Sequence, residues 1–113
     1  MFAFLMGLKS ISPRALQDLI ALRQATVIDL NSPQSWARAH VPGALHFDPL
    51  AWSEADLPPD KDTRLVFYCS NPMCRKAPNA ARRAKKLGYA NAMVMAAGIT
   101  GWLDAGLQTD AGG

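Results

Sequence analysis

Leu65-Val66-Phe67-Tyr68-Cys69-Ser70-Asn71-Pro72-Met73-Cys74-Arg75-Lys76 is the stretch on which the reading of this chain turns. Residues 65–69 form an unbroken apolar run, as expected of a short strand buried on both faces of a parallel sheet. The run ends on a cysteine, and residues 70–76 follow as a loop. A helix is expected from Pro78 to Leu87, with Arg82, Arg83, Lys85 and Lys86 on a solvated face and Gly88 just past its end.

Working outward, Thr26-Val27-Ile28-Asp29-Leu30 and Asn91-Ala92-Met93-Val94-Met95 repeat the buried-strand pattern, and His40–Phe47 reads as a loop leading into a further short strand. The opening apolar stretch, Met1–Lys9, is expected to be a first strand on the edge of the core. Ser12-Pro13 supplies an N-cap and a first-turn proline for a helix reaching Leu22. Shorter helices are expected over Pro33–Ala39 and Ile99–Ala105, and Ala51–Asp62, which holds Pro58-Pro59-Asp60, is a connection. Strands alternating with helices in this way imply an α/β fold, an open parallel five-stranded sheet with helices on both faces.

A chain of 113 residues that is 50% hydrophobic fits one domain, 1–113, able to bury its core without staples. The tail from about Thr109 to Gly113 is expected to fray. Cys69 and Cys74 are the only two cysteines, too few for a disulfide framework or a four-ligand zinc site. Two thiols in an unstapled domain suit a reducing compartment, so a cytoplasmic location is expected. A net charge of +3 without basic–aromatic interleaving makes no case for nucleic acid. The apolar opening is too short for a membrane span and lacks the flanks of a signal peptide.

The chemistry is expected where ligands sit in such sheets, outside the carboxyl ends of the strands. Cys69 lies there, followed by a loop that turns into a helix N-terminus. Free amides at the helix start, the helix dipole, and the charges of Arg75 and Lys76 would all favour a thiolate at Cys69. Five residues between Cys69 and Arg75 let the amides of Ser70, Asn71, Pro72, Met73 and Cys74 (proline excepted) and one guanidinium surround a single anion of sulfur, phosphate or arsenate. Without that setting, a lone cysteine at a strand end is most often just a small apolar residue.

These residues resemble the rhodanese family. Val27-Ile28-Asp29-Leu30 with Ala39-His40-Val41-Pro42-Gly43-Ala44 is similar to its front motif, Leu65–Cys69 to its active-site strand, and Gly98-Ile99-Thr100-Gly101-Trp102 to its closing signature. The likeness runs from about Ile11 to Gly106. It implies a sulfurtransferase that moves sulfane sulfur from a donor such as thiosulfate to a thiophile through a Cys69 persulfide, with no metal and no organic cofactor. It also implies a small sulfur-containing or oxyanion substrate, with a protein sulfur acceptor as a further partner. Asn31 stands where many members have arginine, and Ala39 and Ala97 replace glycines. The loop has five residues between cysteine and arginine where sulfurtransferases of the family usually have four. That length resembles the rhodanese-fold phosphatases and arsenate reductases, which usually carry His where this chain has Tyr68. A phosphatase or arsenate reductase, or a non-catalytic persulfide carrier, therefore stands beside the sulfurtransferase.

Asp29 and His40 are expected to be structural supports, Asp29 accepting hydrogen bonds from the 40–43 loop or from His40 itself. His46 is expected to be half-buried and without a catalytic role. Trp36, Trp102, Met93 and Met95 are expected in the core, and Trp52 at the rim of the site. Cys74 is either an inward-pointing loop residue or a second thiol able to resolve Cys69 into a disulfide.

Overall fold

The computed structural model describes residues 7–113. In chain order it contains α1 (Pro13–Ala21), β1 (Thr26–Asp29), α2 (Pro33–Arg38), β2 (Leu45–His46), a 3-10 turn (Glu54–Asp56), β3 (Leu65–Tyr68), α3 (Lys76–Lys86), β4 (Ala92–Val94) and α4 (Gly98–Asp104). The strands pair in parallel in the order β2-β1-β3-β4, with Ile28 opposite both Leu45 and Phe67, and Phe67 opposite Val94.

Five strands were expected, and the sheet has four among the described residues. The expected first strand falls on 1–6, outside the described residues, and on the few that follow. Those run beside β4 for a single parallel bridge, Ser10 to Val94, with Ile11 N donating to Val94 O at 2.9 Å and Val94 N to Lys9 O at 3.1 Å. Toward the C-terminal side the pairing stops because Ser12 already caps α1, its hydroxyl accepting from Ala15 N, and Pro13 has no N–H to give a ladder.

The period-two alternation of the strands sorts the core into two layers. Ile28, Leu30, Leu65, Phe67 and Cys69 face one side, against Ala77, Ala80, Ala81 and Ala84 of α3. Val27, Val66, Tyr68 and Met95 face the other, against Leu16 of α1 and Ile99 and Trp102 of α4. The four alanines follow the i, i+3, i+4, i+7 stripe, and their small size lets α3 lie close over the carboxyl end of β3. The helix starts at Lys76, two residues before the expected Pro78, because a proline fits within a first turn whose amides lack helical partners anyway.

The tail, expected to fray, carries backbone tethers instead. Asp110 and His40 exchange two hydrogen bonds of 2.9 Å, and Gly112 N donates to Ala37 O at 2.8 Å. No helix among the described residues is long and apolar enough to cross a membrane.

Candidate functional site

Cys69 follows the last residue of β3 and is only 3% exposed, its side chain packed within the layer beneath α3. Its carbonyl accepts from Ile99 N at 2.9 Å, and that of Ser70 accepts from Thr100 N at 3.0 Å. The first turn of α4 thereby clamps the start of the loop. Gly98 makes the clamp possible. Its φ is +68°, and a Cβ there would lie 2.5 Å from the Ser70 carbonyl carbon.

The loop then folds on itself. Asn71, Pro72, Met73 and Cys74 form a turn in which Cys74 N donates to Asn71 O at 3.1 Å and Met73 N to Asn71 Oδ1 at 2.9 Å. Asparagine at the first position and proline at the second are the residues such a turn favours. Met73 points outward, 71% exposed. The turn returns Cys74 to Cys69, and the two are joined in a disulfide across a Cα separation of 6.4 Å. Of the two readings the sequence left open for Cys74, the structure has the bridged one, because the curled loop holds the two backbones within the span a disulfide bridges. Two amides expected to cradle an anion, those of Met73 and Cys74, are engaged by Asn71 in this form. Arg75 caps the start of α3 and Lys76 opens it, both exposed at the helix end where anions are favoured.

Beside the loop a cavity of about 330 Å³ is lined by Leu30, Asn31, Ser32, Pro33, His46, Asp48, Pro49 and Lys76. Asn31, one of the lining residues, is 6% exposed, and its Nδ2 is buried without a hydrogen-bond partner. A larger hollow of about 520 Å³ lies at the opposite end of the strands, between Thr26, Arg64 and Asn91. It is remote from the cysteines, and the sheet's chemistry is expected at the carboxyl end.

Asp29 is fully buried, but not with the partners expected of it. Its carboxylate accepts from Tyr68 Oη and, at 2.7 Å, from Asn31 N. Tyr68 Oη in turn accepts from Val41 N at 3.0 Å. The link from Asp29 to the 40–43 loop therefore runs through the tyrosine hydroxyl, because that hydroxyl lies between carboxylate and amide. Burial, reinforced by the charge and hydrogen bond of Asp29, raises the Tyr68 phenol well above its ordinary range and keeps it protonated.

His40 takes no part at the cysteines. Its Nδ1 meets Trp36 O at 2.8 Å and its ring stacks on Trp36 with centroids 3.4 Å apart. His46 stacks on the same indole at 4.8 Å and its Nε2 meets Asn31 O at 2.8 Å, a partner the sequence had not suggested. Trp36 is accordingly half-buried between helix and histidines and is not a core residue, whereas Trp102 is fully buried. Trp52, expected at the rim, is buried among Phe47 and Phe67, with the Arg83 guanidinium 4.1 Å above its ring. Met95 is core and Met93 half-buried. Three site features escaped the sequence reading: the Tyr68 relay, the Asn31 donor and the His46 contact. Tyr68, where the rhodanese-fold phosphatases and arsenate reductases usually carry His, was the one available signal.

The family model of the rhodanese-like domain matches residues 12–105. The human thiosulfate:glutathione sulfurtransferase is 29% identical over 112 residues, covering 87% of this chain and 96% of that protein. An HTH-type transcriptional regulator of Mycobacterium tuberculosis is 32% identical over 100 residues, which cover 84% of this chain and 43% of the regulator. Among solved structures, the BH2092 protein of Bacillus halodurans shares the fold with a TM-score of 0.81 at 20% identity, covering 90% of this chain and 76% of its own.

Proposed function

This chain belongs to the rhodanese-like domain family, and on that premise we propose that it is a sulfurtransferase working through a persulfide on Cys69. Once the bond to Cys74 is reduced, the Cys69 thiolate attacks the sulfane sulfur of a donor such as thiosulfate. Sulfite leaves, the persulfide remains, and a thiophile takes the outer sulfur. The observation that carries this reading is the seat of Cys69, at the carboxyl end of β3, held by α4 and followed, after the curled loop 70–75, by the N-terminus of α3. A thiolate there is stabilised by the helix end and by Arg75 and Lys76. The cavity walled by Asn31 and Lys76 gives an anionic donor or acceptor a place beside the loop.

Sulfur transfer also suits what surrounds the loop better than phosphate ester hydrolysis does. Hydrolysis calls for an acid to protonate the leaving oxygen, and the loop 69–75 contains no carboxylic acid. Of the acids before β3, Glu54 pairs with Lys61, Asp56 accepts from Ser53 N at 2.8 Å, and Asp48, which lines the cavity, accepts from Leu50 N at 2.9 Å. Sulfite departs without a proton.

The test is run on the fully reduced protein with thiosulfate and cyanide in one assay and an activated aryl phosphate in another. Thiocyanate is expected, with an adduct of about 32 Da held on Cys69 in a Cys74→Ser background, and Cys69→Ser should abolish both. Phosphate release that depends on Cys69, with no thiocyanate, would instead make the protein a phosphatase. An adduct that forms without thiocyanate would make it a persulfide carrier.

A further inference from the structure

We propose that the protein carries its own sulfur acceptor: Cys74 attacks the Cys69 persulfide, releasing sulfide and leaving the Cys69–Cys74 disulfide. The inference rests on the sulfurtransferase reading and names what becomes of the sulfur. Two observations carry it. The two sulfurs are bonded, so the folded loop can bring Cys74 Sγ onto Cys69 Sγ without displacing β3 or α3. The Asn71–Cys74 turn that brings them together is built from hydrogen bonds and a proline independent of that bond, so it can position Cys74 while both sulfurs are free. Cys74 is half-buried against the same layer that encloses Cys69, whereas Met73 beside it faces solvent. The second thiol thus faces inward and the neighbouring thioether outward.

The steps balance. Cys69 thiolate attacks the outer sulfur of thiosulfate, one sulfur–sulfur bond forms as another breaks, and sulfite departs with the electron pair. Cys74 thiolate then attacks Cys69 Sγ, and the bond from that sulfur to the outer sulfur breaks. The outer sulfur leaves with the electron pair and takes up a proton as hydrosulfide. An external dithiol reduces the resulting disulfide by thiol–disulfide exchange and is itself oxidised. The sum is thiosulfate plus dithiol giving sulfite, hydrogen sulfide and the oxidised dithiol. An acceptor fixed in the loop reacts intramolecularly, with the advantage in effective concentration that this brings. A free thiol would attack the outer sulfur of the persulfide. Cys74 is placed for the inner one, and that difference decides whether sulfide or a new persulfide is released.

The test is a single turnover without any acceptor. The full chain is reduced, freed of reductant under anaerobic conditions and mixed with excess thiosulfate. The wild type is expected to release one equivalent each of sulfite and sulfide and to end about 2 Da lighter, the two thiol hydrogens lost to the disulfide. Cys74→Ser is expected to stop at the persulfide, with sulfite but no sulfide released and about 32 Da retained on Cys69. A wild type that releases sulfite yet keeps the adduct with Cys74 still alkylatable would overturn the internal acceptor and leave the sulfurtransferase reading standing. Absence of sulfite from both proteins would overturn that reading and this proposal together.

Discussion

Replacing Tyr68 by phenylalanine removes one oxygen from the centre of the fold and leaves its volume almost unchanged. That oxygen donates to the Asp29 carboxylate and accepts from the amide of fully buried Val41. Loss of a hydrogen bond to a charged group costs about 1.5–3 kcal/mol, and the stranded amide adds roughly 1–3 kcal/mol. Asp29 keeps its bond from Asn31 N, so the two terms do not add in full, and about 3–4 kcal/mol is expected. For a domain of this size that is a large share of the whole stability. In urea unfolding followed by circular dichroism at pH 7, the midpoint should fall by about 2 M for a slope near 2 kcal/mol per M. Alkaline titration supplies an independent check. The folded state holds the Tyr68 proton above its ordinary titration range near pH 10, while the unfolded chain loses it there. The phenol's contribution is therefore complete below pH ~10 and declines above it, by up to about 1.4 kcal/mol per pH unit. The wild type should show that decline relative to Tyr68→Phe. A variant less than about 1 kcal/mol weaker, with the same alkaline slope as the wild type, would refute the relay.

Gly98→Ala should cost about 2–4 kcal/mol in the same assay, because it combines a left-handed backbone with a methyl 2.5 Å from the Ser70 backbone. It should also slow persulfide formation, since the only relief is to push the loop away from α4. Arg75→Ala should slow iodoacetamide alkylation of the reduced protein at pH 7 by roughly three- to tenfold, with the pH profile displaced upward. An unchanged profile would mean that the helix end and Lys76 activate the thiol without Arg75.

The strands and their burial on both faces were legible because the apolar runs at 26–30, 65–69 and 91–95 have no polar side to expose. Cys69 was legible as a candidate because a loop, a helix start and Arg75 follow it at the carboxyl end of such a strand. What escaped depends on distances between segments far apart in sequence. The hydroxyl that joins positions 29, 41 and 68 can be identified only once β1, β3 and the 40–43 loop are assembled. The fifth strand was placed on an apolar opening that lies mostly outside the described residues, and at its C-terminal side the cap at Ser12 ends the pairing after one bridge. The disulfide was left open because spacing along the chain limits the approach of two cysteines without fixing it. The Asn71-Pro72 turn settles the approach.

The tethered tail also sets the direction in which the polypeptide leaves the domain. With Asp110 laid against His40 and Gly112 against Ala37, the chain departs from the flank of α2 and not from the end of α4. A fusion partner or affinity handle joined after Gly113 would start from that flank, and a linker should be measured from there. Truncation at Thr109 would free the backbone of His40, whose neighbour Val41 bonds Tyr68. An alteration at residues 110–112 would then be felt two hydrogen bonds from Asp29, deep in the sheet.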